Sequence, residues 1–226
     1  KDIEHIIIDN NSQDRTINLI KQYGRKDLRI YQQKSSGIYG AINEGMKIAN
    51  GHIIGFLHSD DQLIDKNVIN LITKKFFEEK LDVLFSNIYY TKKNNPNKIV
   101  RKWFSNLKEG VQLNKNLIKK INNGWMPPHT TLFIKKDLLK KIGQYDEKLK
   151  ISSDYDFIIK LFREDNLKIF FLNKVTVKMR SGGISNKNIK NIFIKMSEDI
   201  SIMKKYKLNI IKAILIKNLS KIKQFF

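Results

Sequence analysis

The sequence predicts an α/β fold, with a mixed, largely parallel sheet flanked by helices and a helical carboxy-terminal appendage. Three observations carry this. Apolar runs at Ile6-Ile7-Ile8 and Ile53-Ile54-Gly55-Phe56-Leu57 end abruptly in carboxylates, Asp9 and Asp60-Asp61, as buried strands with ligand-binding groups at their carboxyl ends do. Strand-like and helix-like segments alternate three times before Lys80, which places helices on the faces of a sheet. Beyond the loop Ser181-Gly182-Gly183-Ile184-Ser185 the pattern is wholly helical.

In order along the chain, Ile3 to Asp9 is a β-rich run followed by the turn residues Asn10-Asn11-Ser12. Asp14 is placed to cap a helix that buries Ile17, Ile20 and Tyr23 and closes at Gly24. Leu28 to Gln32 reads as a strand, and Ile38, Ala41, Ile42, Gly45, Met46 and Ala49 keep helical spacing up to Gly51. After the Ile53 strand, Val68, Leu71, Ile72 and Phe76 mark a helix from about Asp65 to Lys80. Asp82 to Tyr90 is a strand, and Ile99 to Phe104 is its hairpin partner across a turn containing Pro96. A helix from Gly110 to Ile121 leads to the irregular Gly124-Trp125-Met126-Pro127-Pro128-His129. Leu132 to Ile134 is a short strand, Asp137 a cap for a short helix ending at Gly143, and Ser152 to Phe157 opens a helix burying Ile158, Ile159 and Phe162. Lys168 to Leu172 and Val175 to Met179 alternate as strands. A last stripe, Leu208, Ile211, Leu215, Leu219, Ile222 and Phe226, divides the chain into residues 1–187 and a basic amphipathic tail, 188–226.

The balance of 43 basic against 22 acidic residues gives a net charge of +21, which favours anionic partners. The absence of Cys excludes disulfides and thiolate metal sites and is natural in a reducing compartment. No run reaches the roughly 18 apolar residues of a membrane span. The chain begins at Lys1 and enters a strand at once, which points to a segment upstream.

Alone, Ser59-Asp60-Asp61 has two readings. It is a solvated turn capping the next helix, or a pair of repelling carboxylates held by a divalent cation. Two further groups change its weight: Asp9 with Asn10-Asn11-Ser12-Gln13-Asp14, and Ser153-Asp154-Tyr155-Asp156. In this order the set resembles the family 2 glycosyltransferases of the GT-A fold, a Rossmann-like nucleotide-diphospho-sugar transferase fold of inverting enzymes. Gly37-Ile38-Tyr39-Gly40-Ala41-Ile42-Asn43-Glu44-Gly45, His129-Thr130-Thr131-Leu132-Phe133 and Gly182-Gly183-Ile184-Ser185 are similar to members that build bacterial surface polysaccharides.

The resemblance covers residues 1 to 187 and implies a role for each group. Asp9 would bind base or ribose, its structural alternative being a cap on the Asn10 to Ser12 turn. Asp60, Gly37 and His129 would lie at the donor, and Asp61 would ligate Mg²⁺ or Mn²⁺. Asp154 would be the general base, with helix capping as its alternative, and Asp156 structural support. Ser35, Gly40 and His58 stand where many relatives carry acidic groups, and this bears on which sugar is bound. His58 is a metal or donor contact, or a hydrogen-bonded neighbour of the motif. Relatives begin with a further strand, loop and helix before the position of Lys1.

The function expected is metal-assisted, inverting transfer of a sugar from a nucleotide-diphosphate donor to a glycan or lipid-linked glycan. The alternative is a glycosyltransferase-like protein that binds a nucleotide without turnover. A nucleic-acid-binding protein is a third class, but no aromatic-basic recognition motif supports it, so nucleic acid is not an expected partner. The carboxy-terminal stripe would pack on the catalytic domain or on a second copy of the chain. Otherwise it would rest on an anionic membrane, placing the protein in the cytoplasm at the inner face of the cytoplasmic membrane.

Overall fold

A computed structural model describes residues 3–24, 28–182, 188–222 and 224. Its centre is a seven-stranded sheet in which the two long strands, β5 (Val83–Lys92) and β9 (Ile169–Arg180), run parallel side by side. Along both strands successive side chains take opposite faces, as the period of two requires. Val83, Phe85, Ile169 and Phe171 enter the larger core, whereas Leu84, Phe170 and Leu172 enter the smaller one. The larger core holds helix α6 (Ser153–Arg163), with Phe157, Ile158, Ile159 and Phe162 fully buried, and α4 (Asn114–Asn122), through Leu117 and Ile121. The smaller core is covered by α3 (Val68–Glu79), through Val68, Ile72 and Phe76. This is the layered sandwich of sheet between helices that the sequence predicts.

The parallel character is narrower than expected. Short strands enter antiparallel: β3 (Ile53–Gly55) pairs with β8 (Phe133–Lys135), and β8 with β5. Strands β3 and β5 therefore share a direction without touching. On the other side β4 (Asp61–Leu63) and β7 (Gly110–Gln112) pair antiparallel with β9, and β6 (Asn95–Trp103) closes the expected hairpin on β5. Strands β1 (His5–Asp9) and β2 (Leu28–Gln32) form their own parallel ladder, joined by α1 (Thr16–Tyr23), and none of their residues is fully buried.

Local chemistry explains the remaining differences. The helix expected from Gly110 starts at Asn114, because Gly110 has φ +126° and its neighbours join β9. The two strands expected between Lys168 and Met179 are one strand with irregular register between Leu172 and Val177. Asp137 pairs with Lys140 and caps no helix; the short α5 (Leu139–Ile142) follows a 3-10 turn. Asp14 stands one residue before the N-cap of α1, which is Arg15, so it is not the cap expected, although it accepts the Thr16 N–H at 2.9 Å.

Two helices complete the chain: α7 (Ile189–Lys205) and α8 (Ile210–Ile222). Leu208, just before α8, and Ala213 within it are buried, whereas Ile211 and Leu215 are 76% and 56% exposed, so the predicted stripe does not face the core as a unit. The reason is contact with Gly124: a Cβ there would come within 2.4 Å of the Ala213 carbonyl oxygen. The helix turns its smallest residue inward to meet that backbone, and two bulky members of the stripe turn outward. The side chains of Leu219 and Ile222, all of Phe226, and residues 183–185 of the predicted glycine loop lie outside the described residues.

Candidate active site

Strand β3 ends at Gly55, and the chain descends through Phe56, Leu57 and His58 before the Asp61 N–H closes a turn onto the His58 carbonyl at 3.0 Å. Asp61 then enters β4, opposite Met179 of β9. It is a strand residue and caps no helix; α3 begins only at Val68. Asp60 is exposed and accepts the Ser59 hydroxyl at 3.2 Å, while Asp61 is 8% exposed and its Oδ2 is buried with no hydrogen-bond partner. Burial pushes the Asp61 carboxyl up to about 7, and the neighbouring Asp60 adds to the rise. An orphaned carboxylate oxygen beside a second carboxylate fits a hard divalent cation. Mg²⁺ in particular binds through one or two carboxylates, several waters and substrate phosphates. Among the described residues no set of three or more His, Asp or Glu is arranged to hold a metal, so from these residues this pair is the candidate.

Asp154 stands in the first turn of α6, two residues after the N-cap Ser152, so the capping alternative does not hold. Its Oδ1 accepts the Tyr155 N–H at 2.8 Å and lies 3.4 Å from the Tyr39 hydroxyl. Tyr39, on α2 (Gly37–Ile48), donates more closely to the Ile151 carbonyl, at 2.6 Å. Beside Asp154 is a wall of rings. Tyr145 stacks on Phe157 at 4.0 Å and on Tyr39 at 5.7 Å, and His129 lies edge-on to Tyr145 with Nε2 2.6 Å from its hydroxyl. Phe56 and His58 stack on His129 at 5.7 and 6.0 Å. Asn43 fixes this wall by donating to the Tyr145 carbonyl at 3.0 Å and accepting the Tyr145 N–H at 2.9 Å.

The electrostatics tie these groups together. Burial drives His129 down to about 4, opposed by the negative charge of Asp154, so the ring is neutral. His58 is lowered by the same cause, against Asp154 and Asp60. Burial raises the phenols of Tyr39 and Tyr145, and Asp154 raises them further. Tyr90 of β5, under the Arg101 guanidinium at 3.7 Å, is raised by burial and also feels both Asp61 and Asp154. Tyr90 thus feels the carboxylates predicted for both metal and base, and His58 feels Asp154 and Asp60.

Asp9 spends both oxygens on its own turn, accepting the Ser12 N–H at 2.8 Å and the Ser12 hydroxyl at 2.6 Å. It belongs to the separate β1–β2 ladder, and among the described residues no hydrogen bond joins it to Asp60, Asp61 or Asp154. Gly37 opens α2 at φ +73°, where a Cβ would meet nothing within 4 Å; its need is conformational. Asp156 is 1% exposed and paired with Lys205 at 2.7 Å, Tyr206 at 3.0 Å and Lys160 at 3.4 Å, the support expected of it. Sequence reasoning missed Tyr39, Tyr145 and Tyr90 as neighbours of the carboxylates. Only Tyr39, inside the Gly37 to Gly45 motif, had a signal.

Residues 1–143 match the family described as Glycosyl transferase family 2. An uncharacterised glycosyltransferase of Methanocaldococcus jannaschii is 29% identical over 167 residues, 71% of this chain and 54% of that protein. A PGL/p-HBAD biosynthesis glycosyltransferase of Mycobacterium bovis is 24% identical over 199 residues, 86% of this chain and 72% of its own. Crystal structures of Staphylococcus aureus TarS 1-349 superpose with TM-scores of 0.67 for the complex with UDP-GlcNAc and 0.63 for the complex with UDP, each at 21% identity. They cover 89% and 87% of this chain, which spans 58% and 56% of theirs. The chain thus spans about half the length of the archaeal relative and of these structures.

Proposed function

This chain belongs to glycosyl transferase family 2 and has the GT-A fold, and from that premise we propose that it transfers a sugar from a nucleotide-diphosphate donor to an acceptor hydroxyl with inversion. The observation that carries the proposal is the buried, unpartnered Oδ2 of Asp61 beside Asp60, with the Tyr90 phenol feeling both Asp61 and Asp154. GT-A glycosyltransferases commonly use divalent cations. Asp61, with Asp60, would hold Mg²⁺ or Mn²⁺, which supplies charge neutralisation for a departing diphosphate. TarS complexes with UDP and UDP-GlcNAc make a uridine diphosphate sugar the first donor to try.

In this reading Asp154 takes the proton of the acceptor hydroxyl while that oxygen attacks the anomeric carbon from the side opposite the diphosphate. Tyr39 and the first turn of α6 hold the carboxylate, and the neutral His129 with Tyr145 packs in the ring wall beside it. The acceptor class is a growing glycan of polysaccharide biosynthesis. Exposed Ile189, Ile192, Phe193 and Met196 on α7, with Ile211 and Leu215 on α8, favour a peripheral contact with an anionic membrane carrying a lipid-linked acceptor.

Calorimetric titration with UDP in the presence and absence of Mn²⁺ tests the donor half. Wild type should bind only with metal, and Asp61→Ala should lose UDP binding even with metal present; equal, metal-free binding by both would overturn it. Asp154→Asn should keep UDP binding and lose turnover by about a hundredfold or more. A second reading is nucleotide binding without turnover. It would be established by UDP binding with no UDP release from any UDP-sugar.

A further inference from the structure

Glu198 lies on α7, outside the residues that match the family, yet its carboxylate reaches the segment that presents Asp154. It accepts three consecutive backbone N–H groups: Lys150 at 2.7 Å on Oε1, and Ile151 and Ser152 at 2.9 and 2.8 Å on Oε2. Successive N–H groups converging on one carboxylate form an anion-binding concavity of backbone, here filled by a side chain from a distant helix.

The position of that concavity matters more than its existence. Ser152 is the N-cap of α6, and its hydroxyl makes no capping bond; its Oγ and that of Ser153 are buried without partners. In a capping box the N-cap N–H is taken by a Glu or Gln three residues on. Here the residue three on is Tyr155, which cannot do this, and Glu198 supplies the missing acceptor in its place. A carboxylate at this pole is also favoured by the helix dipole. The Ile151 backbone is held on both sides of its Cα, its N–H donating to Glu198 and its carbonyl accepting the Tyr39 hydroxyl. Asp154 follows three residues later.

A second set of contacts holds the same helix turn from behind. Asp199, next to Glu198 and 8% exposed, pairs with Lys195 at 3.0 Å and with Lys217 of α8 at 2.8 Å. The Lys217 ammonium in turn stands 4.0 Å over the Tyr155 ring. Of the two carboxylates in the turn, Asp156 is consumed by Lys205 and Tyr206, which leaves Asp154 as the one held towards the ring wall.

We propose that Glu198 is a positioning residue for Asp154, fixing residues 150–152 and thereby the orientation of the first turn of α6. The proposal rests on the reading of Asp154 as general base. Misplacement of a catalytic group by about 1 Å can lower a rate about a hundredfold without weakening substrate binding, and the effect of Glu198 should be of that kind.

The test combines amide hydrogen exchange with the kinetics of UDP release from UDP-GlcNAc and Mn²⁺, on the full chain. Glu198→Ala should speed exchange at Lys150, Ile151 and Ser152 at least tenfold. It should lower kcat by about 10- to 100-fold with KM for UDP-GlcNAc unchanged within about twofold. Glu198→Gln, which keeps one acceptor oxygen, should fall between Glu198→Ala and wild type and guards against a variant that fails to fold. In the Asp154→Asn background Glu198→Ala should have no further effect on kcat, because it acts through Asp154. Unchanged exchange at 150–152, a fall confined to KM, or full additivity of the two substitutions would overturn the proposal. Full activity of Asp154→Asn would instead overturn the base reading, whatever Glu198 does.

Discussion

Asp60 and Asp61 are adjacent in the chain but differ in environment: one is exposed beside Ser59, and the other is fixed in a strand with a buried oxygen that nothing donates to. Adjacency of two carboxylates after an apolar run is visible in sequence, and so is Asp154 ahead of an apolar helix face. The partners that orient them are not visible: Tyr39 meets Ile151 across 112 residues and Glu198 meets Ser152 across 46, separations that carry no periodic signal. His129 shows what burial does to a single ring. Its ordinary value of 6.5 falls to about 4 in the fold. The unfolded chain therefore takes up a proton below about pH 6.5 that the folded chain refuses until about 4. Stability from this residue is complete above pH 6.5 and is lost as the pH falls from there towards 4, by about 3 kcal/mol. Urea unfolding should show that loss in wild type and a flatter profile over the same window in His129→Gln.

At the scale of elements, β1, β2, α2, α3, α6 and the β5–β6 hairpin were legible, because each has enough residues to show a period of 2 or 3.6. Strands β4 and β7, three residues each, have no period to show and exist because β9 is there to pair with. The facing of α8 was misread for a related reason. Leu208, Ile211 and Leu215 make a regular stripe, but the helix docks where Gly124, at φ +86°, lets its backbone approach Ala213. Gly124→Ala adds a Cβ both in a left-handed conformation and against that carbonyl, and should cost about 2 kcal/mol. Limited proteolysis should then cut first in α8, with the β5–β9 core surviving.

At the scale of the whole molecule, charge and exposed apolar surface meet on the helical end of the chain. The net charge of +21 attracts anionic surfaces, and the outward residues of α7 and α8 offer apolar contact. Vesicles rich in phosphatidylglycerol should sediment the protein at low salt, and Phe193→Ser with Ile211→Ser should release it, while charge alone would leave the double variant bound. The layered sheet-and-helix plan was legible in the alternation of strand and helix. The separateness of the β1–β2 ladder was not, since strand order is fixed by pairing partners rather than by any pattern within a strand.

The grip of α7 and α8 on the start of α6 has one further consequence, for anyone dividing the chain. Excision after residue 187 would keep every residue matched by the family and Asp154 as well. It would also strip the acceptor from three backbone N–H groups and remove Lys205 and Tyr206 from the buried Asp156. A cut at that boundary should therefore loosen the first turn of α6, read as faster amide exchange at residues 150–152 in the shortened chain.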